Sequence, residues 1–226
     1  MPKRKKEKGP PLSYRSTIAE KMRYRLHSVA PRLYPGAQCR LSGRDAVALT
    51  IDDGPSETTR DLLSILESES LTATFFLSGA AVEVHPDLPG VILEQGNAVA
   101  SHGFAHASML RKSRKGVQED IARSLSVIEK TSGQRPTLYR PPYGRLHPLH
   151  YGLPRAQGCR LVLWNVFIGD YDHRIDVPEL HRRLATVRGG DILVLHDQAA
   201  SFDRTSACLR LLAGMLRIRD LQTMTL

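Results

Sequence analysis

The feature that most constrains the fold is a regular alternation of short apolar runs with longer stretches of helical periodicity. Aliphatic and β-branched runs occupy residues 46–51, 73–77, 98–101, 137–139, 161–166, 192–195 and 222–226. Between them, residues 56–68, 80–95, 116–131, 147–156, 177–187 and 204–216 carry apolar residues at helical spacing, the second stretch broken near Pro86 to Pro89. Runs this short read as buried strands, and strands that alternate with helices form a parallel α/β sheet. Alternation alone leaves an open doubly wound sheet and a barrel both available.

The polar residues narrow that choice. Asp52, Asp53, His102, Arg140, Asp170 and His196 each stand at or just past the C-terminal end of an expected strand. Active sites of α/β barrels are built at that end, whereas the crevice of an open sheet would gather only some of them. Reactive side chains from five different strands converge most naturally on a barrel mouth.

Charge and length set the domain plan. The 226 residues fit a single domain. Of the net charge of +9, residues 1–33 carry +8, so the body, 34–226, is close to neutral. The expected plan is a basic N-terminal extension, partly disordered or holding a short helix on the stripe Ile18, Met22 and Leu26, followed by one domain. A basic extension can contact nucleic acid or an anionic membrane, although a solvated charge run is the plainer reading. Every apolar stretch falls well short of the roughly 18 residues that span a bilayer, and no apolar leader stands at the N-terminus. No transmembrane segment is expected, and a cytoplasmic location is, with extracellular action left open. Cys39, Cys159 and Cys208 show no paired spacing and read as small core residues.

The strand ends hold the chemistry. In "TIDDGP", Asp52 and Asp53 would point to opposite sides of an extended segment, so the two can have different tasks. In "HGFAH", His102 and His106 stand four apart, a spacing that within one helical turn places both imidazoles on one side. With Asp53 they make two histidines and a carboxylate, the pattern of a catalytic metal with open coordination positions. Zinc is the expected ion, with cobalt or another divalent ion as alternatives. Arg140 in "RPPYG" can pair with a carboxylate and keep it ionised. Asp170 and His196 can form a carboxylate–imidazole pair, which raises the histidine pKa and fixes its tautomer. By contrast, His147 and His150, separated by Pro148, read as loop residues rather than a second metal site.

As an ordered set, "TIDDGP", "HGFAH", "RPPYG", "WNVFIGDY" and "LVLHD" resemble the motifs of the NodB-homology polysaccharide deacetylases, carbohydrate esterase family 4, over residues 46–226. The resemblance implies a distorted (β/α) barrel with about seven parallel strands. It implies an enzyme: a metal-dependent hydrolase that removes an N-acetyl or other N-acyl group from an amino sugar or glycan, its partner an N-acetylated glycan. It also implies roles: Asp52 as general base, His196 as general acid, Arg140 and Asp170 as their partners, and Asp53, His102 and His106 as metal ligands. The backbone N–H of Tyr143 would stabilise the oxyanion, and Trp164, Tyr171 and Val194 would face the substrate.

Several positions depart from the family pattern. Phe167 replaces the usual first Asp of the fourth motif, Tyr171 its Trp, and Val194 a Leu, while Gly103 lacks the Ser or Thr hydroxyl of the second motif. These changes leave two alternatives to N-deacetylation of a glycan. One is a metal-bearing, carbohydrate-binding protein without turnover; the other is a deacylase of a non-glycan N-acyl or formyl compound.

Overall fold

The computed structural model describes residue 34 and residues 36–226. The basic extension and its apolar stripe lie outside the described residues. The strands are β1 (Ala46–Asp52), β2 (Thr74–Leu77), β3 (Ala98–Ser101), β4 (Leu138–Tyr139), β5 (Arg160–Leu161), β6 (Val166–Phe167), β7 (Ile192–His196) and β8 (Gln222–Met224). The helices are α1 (Thr59–Ser68), α2 (Gly79–Val84), α3 (Leu88–Glu94), α4 (Arg114–Ser132), α5 (Gly152–Ala156), α6 (Val177–Leu184) and α7 (Phe202–Ile218). No helix among the described residues is long and apolar enough to cross a membrane.

The strands pair in the order β5-β4-β3-β2-β1-β7-β6, all parallel, and β8 joins β1 below β2. Because side chains alternate along a strand, β1 divides its residues between two layers. Val47, Leu49 and Ile51 face outward with Leu62, Leu63 and Leu66 of α1 and Leu209 and Leu212 of α7. Ala48 faces inward, in one cluster with Phe76, Ala100, Leu138, Val162, Trp164, Ile192 and Val194. A flat sheet could not bring inward residues of β1, β2, β3, β4 and β7 into a single cluster; a sheet curled into a distorted barrel does. Each fully buried Leu, Ile or Phe in these layers contributes roughly 1.5–3 kcal/mol relative to exposure.

The seam of the barrel lies between β5 and β6, and residues 38–41 lace it. Gln38 N–H donates to Leu161 O, Leu163 N–H donates to Gln38 O, and Leu41 N–H donates to Gly190 O. This lacing accounts for one departure from the sequence expectation: the run 161–166 is two short strands. Leu163 turns to Gln38, and Asn165 uses its side chain to accept from Ile192 N–H and donate to Asp191. The expected helix over 147–156 is likewise divided, into a 3-10 turn at Pro148–His150 and α5. There, the His147 ring nitrogen accepts from Leu149 N–H, and prolines stand at 148 and 154. The three cysteines are buried and free, as small core residues should be.

Candidate active site

The barrel alternation itself aims the reactive side chains. Asp52 stands two residues past Thr50, His102 two past Ala100, Arg140 two past Leu138 and His196 two past Val194. Each therefore shares the inward face of its strand at the C-terminal end. Together with Asp53, His106 and Trp164, they surround or underlie a cavity of about 230 Å³ that opens at this end.

Asp53 does not follow that parity. It adopts φ 77°, a left-handed conformation that Asp tolerates better than most residues, and this turns its carboxylate back to the same cavity as Asp52. Asp53 Oδ1 lies 2.9 Å from His106 Nε2 and 3.5 Å from His102 Nε2. The ligand atoms of the three residues lie within 4.8 Å of one another, the single such grouping of three or more among the described residues.

The histidines reach this arrangement without a helix. Residues 102–108 are irregular, with Gly103 at φ 80° and His106 at φ 46°, so chain reversal rather than helical spacing brings the imidazoles together. His102 Nδ1 lies 2.9 Å from Arg140 O. A carbonyl can only accept, so Nδ1 carries a proton, and in the neutral ring Nε2 presents its lone pair to the cavity, whereas a proton on Nε2 faces Asp53. Two imidazoles and a carboxylate oriented in this way fit a divalent ion with nitrogen and oxygen preference. Burial pushes the Asp53 carboxyl up, but hydrogen bonds from His102 and His106 outweigh it and hold the group well below the usual carboxylate range.

Asp52 has a separate support. Arg140, fully buried, donates from Nη1 to Asp52 Oδ1 at 2.5 Å and to Thr50 Oγ1 at 2.8 Å. Thr50 in turn donates to Leu193 O at 2.7 Å, tying the guanidinium to β1 and β7 at once. Replacing Arg140 would leave a carboxylate buried and unpaired. Arg140→Met is therefore expected to cost about 3–5 kcal/mol of stability, measured as a lowered urea midpoint at neutral pH.

Across the cavity, His196 is held by Asp170. Asp170, fully buried, accepts from His196 N–H at 2.8 Å and from Thr205 Oγ1 at 2.8 Å, and its other oxygen lies 2.9 Å from His196 Nδ1. Burial pushes the His196 pKa down, but the Asp170 charge and hydrogen bond, helped by Asp53 and Asp52, raise it to about 9. The Tyr171 ring stands edge-on to the imidazole at 4.5 Å, and Phe167 and Trp164 continue this aromatic wall. Opposite it, Tyr143, with φ 61°, sits 4.9 Å from the His106 ring at the exposed mouth. Val194 lies in the interior cluster beneath and does not line the cavity. His147 and His150 pack 5.4 Å apart in their loop, outside the cavity.

Two supporting residues have no role assigned from the sequence, although Asp197 closes the motif "LVLHD". Gln198 donates to Asp53 Oδ2 at 2.5 Å, holding the oxygen that faces away from the histidines. Asp197 accepts from Ser56, Thr58 and Thr59, which anchors the turn after Asp53 and delays the start of α1 from the expected Ser56 to Thr59. A Cβ on Gly54 would stand 2.4 Å from Asp197 Oδ2, so only glycine fits there. Both contacts cross more than a hundred residues of sequence, beyond the reach of local patterning.

Residues 41–160, more than half of the chain, match the family model for polysaccharide deacetylase. The chain belongs to the polysaccharide deacetylase family. Among its similar proteins, the peptidoglycan-N-acetylmuramic acid deacetylase PdaC of Bacillus subtilis (strain 168) is 34% identical over 152 residues, covering 67% of this chain and 32% of that protein. The peptidoglycan-N-acetylglucosamine deacetylase PgdA of Listeria monocytogenes serotype 1/2a (strain 10403S) is 33% identical over 169 residues, covering 73% of this chain and 36% of that protein. The chain thus spans about a third of the length of these curated relatives. The solved structure of a family 4 carbohydrate esterase from Streptomyces lividans in complex with acetate superposes with a TM-score of 0.74 at 27% identity, covering 80% of this chain and 93% of that one. The polysaccharide deacetylase fold expected from the motifs, a distorted parallel barrel, is therefore the fold observed.

Proposed function

We propose that this polysaccharide deacetylase is a metal-dependent hydrolase that removes the N-acetyl group from an amino sugar of a glycan. One observation carries the reading: Asp52 and His196 face one cavity beside the Asp53, His102 and His106 grouping, each with its own buried partner of opposite charge.

A divalent ion held by Asp53, His102 and His106, with zinc the first choice, would supply Lewis-acid polarisation and a lowered water pKa at that point. Asp52, paired with the Arg140 guanidinium, accepts a proton from the attacking water as the water oxygen bonds to the acetyl carbon. The backbone N–H of Tyr143, a residue on the cavity rim, would hydrogen-bond the oxyanion of the tetrahedral intermediate. His196, protonated at neutral pH, gives its Nε2 proton to the sugar nitrogen as the C–N bond breaks. Acetate and a free amine leave, and the Asp52 proton returns to solvent while His196 is reprotonated.

The aromatic wall of Trp164, Phe167 and Tyr171 offers an apolar face for a sugar ring or an acyl methyl, even though Phe167 takes away a carboxylate and Tyr171 presents a smaller face than tryptophan. The presence of base, acid, both partners and the three ligand residues favours turnover over a binding-only role. Acetate release from N-acetylglucosamine oligomers of increasing length, and from isolated peptidoglycan, tests the reading. Release that stops on chelation and returns with Zn²⁺ supports it. Absence of release from every glycan, with metal demonstrably bound, overturns the glycan assignment in favour of a non-glycan N-acyl substrate or a binding protein.

A further inference from the structure

The segment that carries both histidines of the proposed metal site has no regular structure, and position 103 within it has no side chain. What fixes the two imidazoles must therefore come from outside the segment. Part of the answer is backbone: Gly79 N–H of α2 donates to Gly103 O at 2.9 Å, and Ala80 N–H donates to Phe104 O at 2.9 Å. Ser78 Oγ adds a third donor to Phe104 O at 3.0 Å. These contacts hold only the stretch just after His102.

His102 is itself tied to Arg140 O and Leu77 O, and the contacts on the stretch beyond it converge on one carboxylate. Asp120 of α4 is nearly buried; its Oδ1 accepts from Phe104 N–H at 2.7 Å and its Oδ2 pairs with Lys112 Nζ at 2.5 Å. Phe104 lies between the two histidines and Lys112 lies beyond the second, so Asp120 grips the loop on both sides of His106. Arg123, one turn further along α4, lies 3.5 Å above the Phe104 ring and presses the same stretch onto the helix. The missing side chain at 103 belongs to this arrangement. A Cβ there would stand 2.8 Å from Asp120 Oδ1 and 3.1 Å from Met109 Cε, at a φ of 80° that disfavours any side chain. The carboxylate crowds the space that the first carbon of a residue-103 side chain would need.

We propose that Asp120 is a positioning residue for the metal ligands, its carboxylate setting the path from His102 to His106 in place of a hydroxyl at position 103. The proposal rests on the metal reading of Asp53, His102 and His106. Outer partners that orient ligands are worth about 10–100-fold in metal affinity, and Asp120 is expected to fall in that range although it touches neither imidazole.

The test measures Zn²⁺ affinity of the full chain by competition with a chromogenic chelator, and ligand geometry by the absorption spectrum of the Co²⁺ form. Asp120→Ala is expected to weaken Zn²⁺ binding about 10–100-fold and to change the Co²⁺ spectrum at a temperature where circular dichroism shows the variant folded. Asp120→Asn, which keeps an acceptor for Phe104 N–H, should recover part of both. Gly103→Ser should weaken binding alone, and its effect should shrink in the Asp120→Ala background, because the two substitutions act on one contact. Should Asp120→Ala fail to fold, Lys112→Met frees one side of the grip and is expected to weaken binding in the same direction. A folded Asp120→Ala chain, or in its absence Lys112→Met, with unaltered affinity and spectrum overturns the proposal. Wild-type protein that binds neither ion overturns instead the metal reading on which it stands.

Discussion

Asp52→Asn is expected to lower deacetylation by about 10²–10⁴-fold while Zn²⁺ affinity stays close to that of the wild type. The substitution keeps the size of the side chain and an oxygen for Arg140, so the Asp52–Arg140 contact at 2.5 Å changes in charge more than in shape. What disappears is a group able to take a proton from water. Metal binding is expected to survive because the grouping within 4.8 Å consists of Asp53, His102 and His106, and Asp52 Oδ2 stands 3.8 Å from His102 Nε2. Kinetics and chelator competition on the same preparation separate the two quantities. An asparagine variant that turns over at the wild-type rate would remove Asp52 from the role of base.

The second large effect concerns His196. His196→Ala is expected to cost about 10²–10⁴-fold in turnover, with the greatest loss for substrates whose leaving amine is most basic. Its pH dependence is more diagnostic. The His196 pKa is raised to about 9 by Asp170, so the protonated acid persists through neutral pH and is lost as pH rises through about 9. The acid-dependent limb of the rate profile should therefore fall on the alkaline side near that value. Asp170→Asn removes the main upward influence and leaves the downward push of burial, so that limb should move to lower pH by about one unit or more. The same linkage affects stability. The contribution of the His196–Asp170 pair is fully present below the ordinary histidine pKa of about 6.5 and is lost as pH rises through about 9. A limb that stays in place in Asp170→Asn would show that another group donates the proton.

Much of this site was legible because strand ends in a parallel barrel point where the chemistry occurs. Asp52, His102, Arg140 and His196 fall on inward positions set by simple alternation, and Asp170 follows from its proximity to β6. What local pattern could not supply is the set of residues that hold these in place. Asp197, Gln198 and Thr205 are ordinary polar residues in sequence, and only the closing of β7 against β1 places them under Asp53 or behind Asp170. The helical reading of His102 and His106 gave way for a related reason: Gly103 and its contact with Asp120 reverse the chain, and a four-residue spacing cannot distinguish a helical turn from such a reversal. In the fold, the run 161–166 was divided because its backbone partners come from Gln38 and Ile192, far away in sequence. The helical pattern over 147–156 contained Pro148 and Pro154, whose effect on helix continuity outweighed apolar spacing.

The closing pair of strands has a consequence for how activity arises as the chain folds. β1 carries the proposed base, Asp52, and takes β7, carrying the proposed acid, His196, as its neighbour, with Thr50 and Leu193 bonded across 143 positions of sequence. Contacts so distant in sequence form slowly, since a long loop must be ordered before they contribute. The two histidines of the ligand grouping and the buried guanidinium, by contrast, come from β3 and β4, whose neighbours lie closer along the chain. During synthesis the portion bearing the proposed ligands emerges well before β7, so an unfinished chain holds those residues without the proposed proton donor. On the proposed roles, competence arrives with the docking of one late strand.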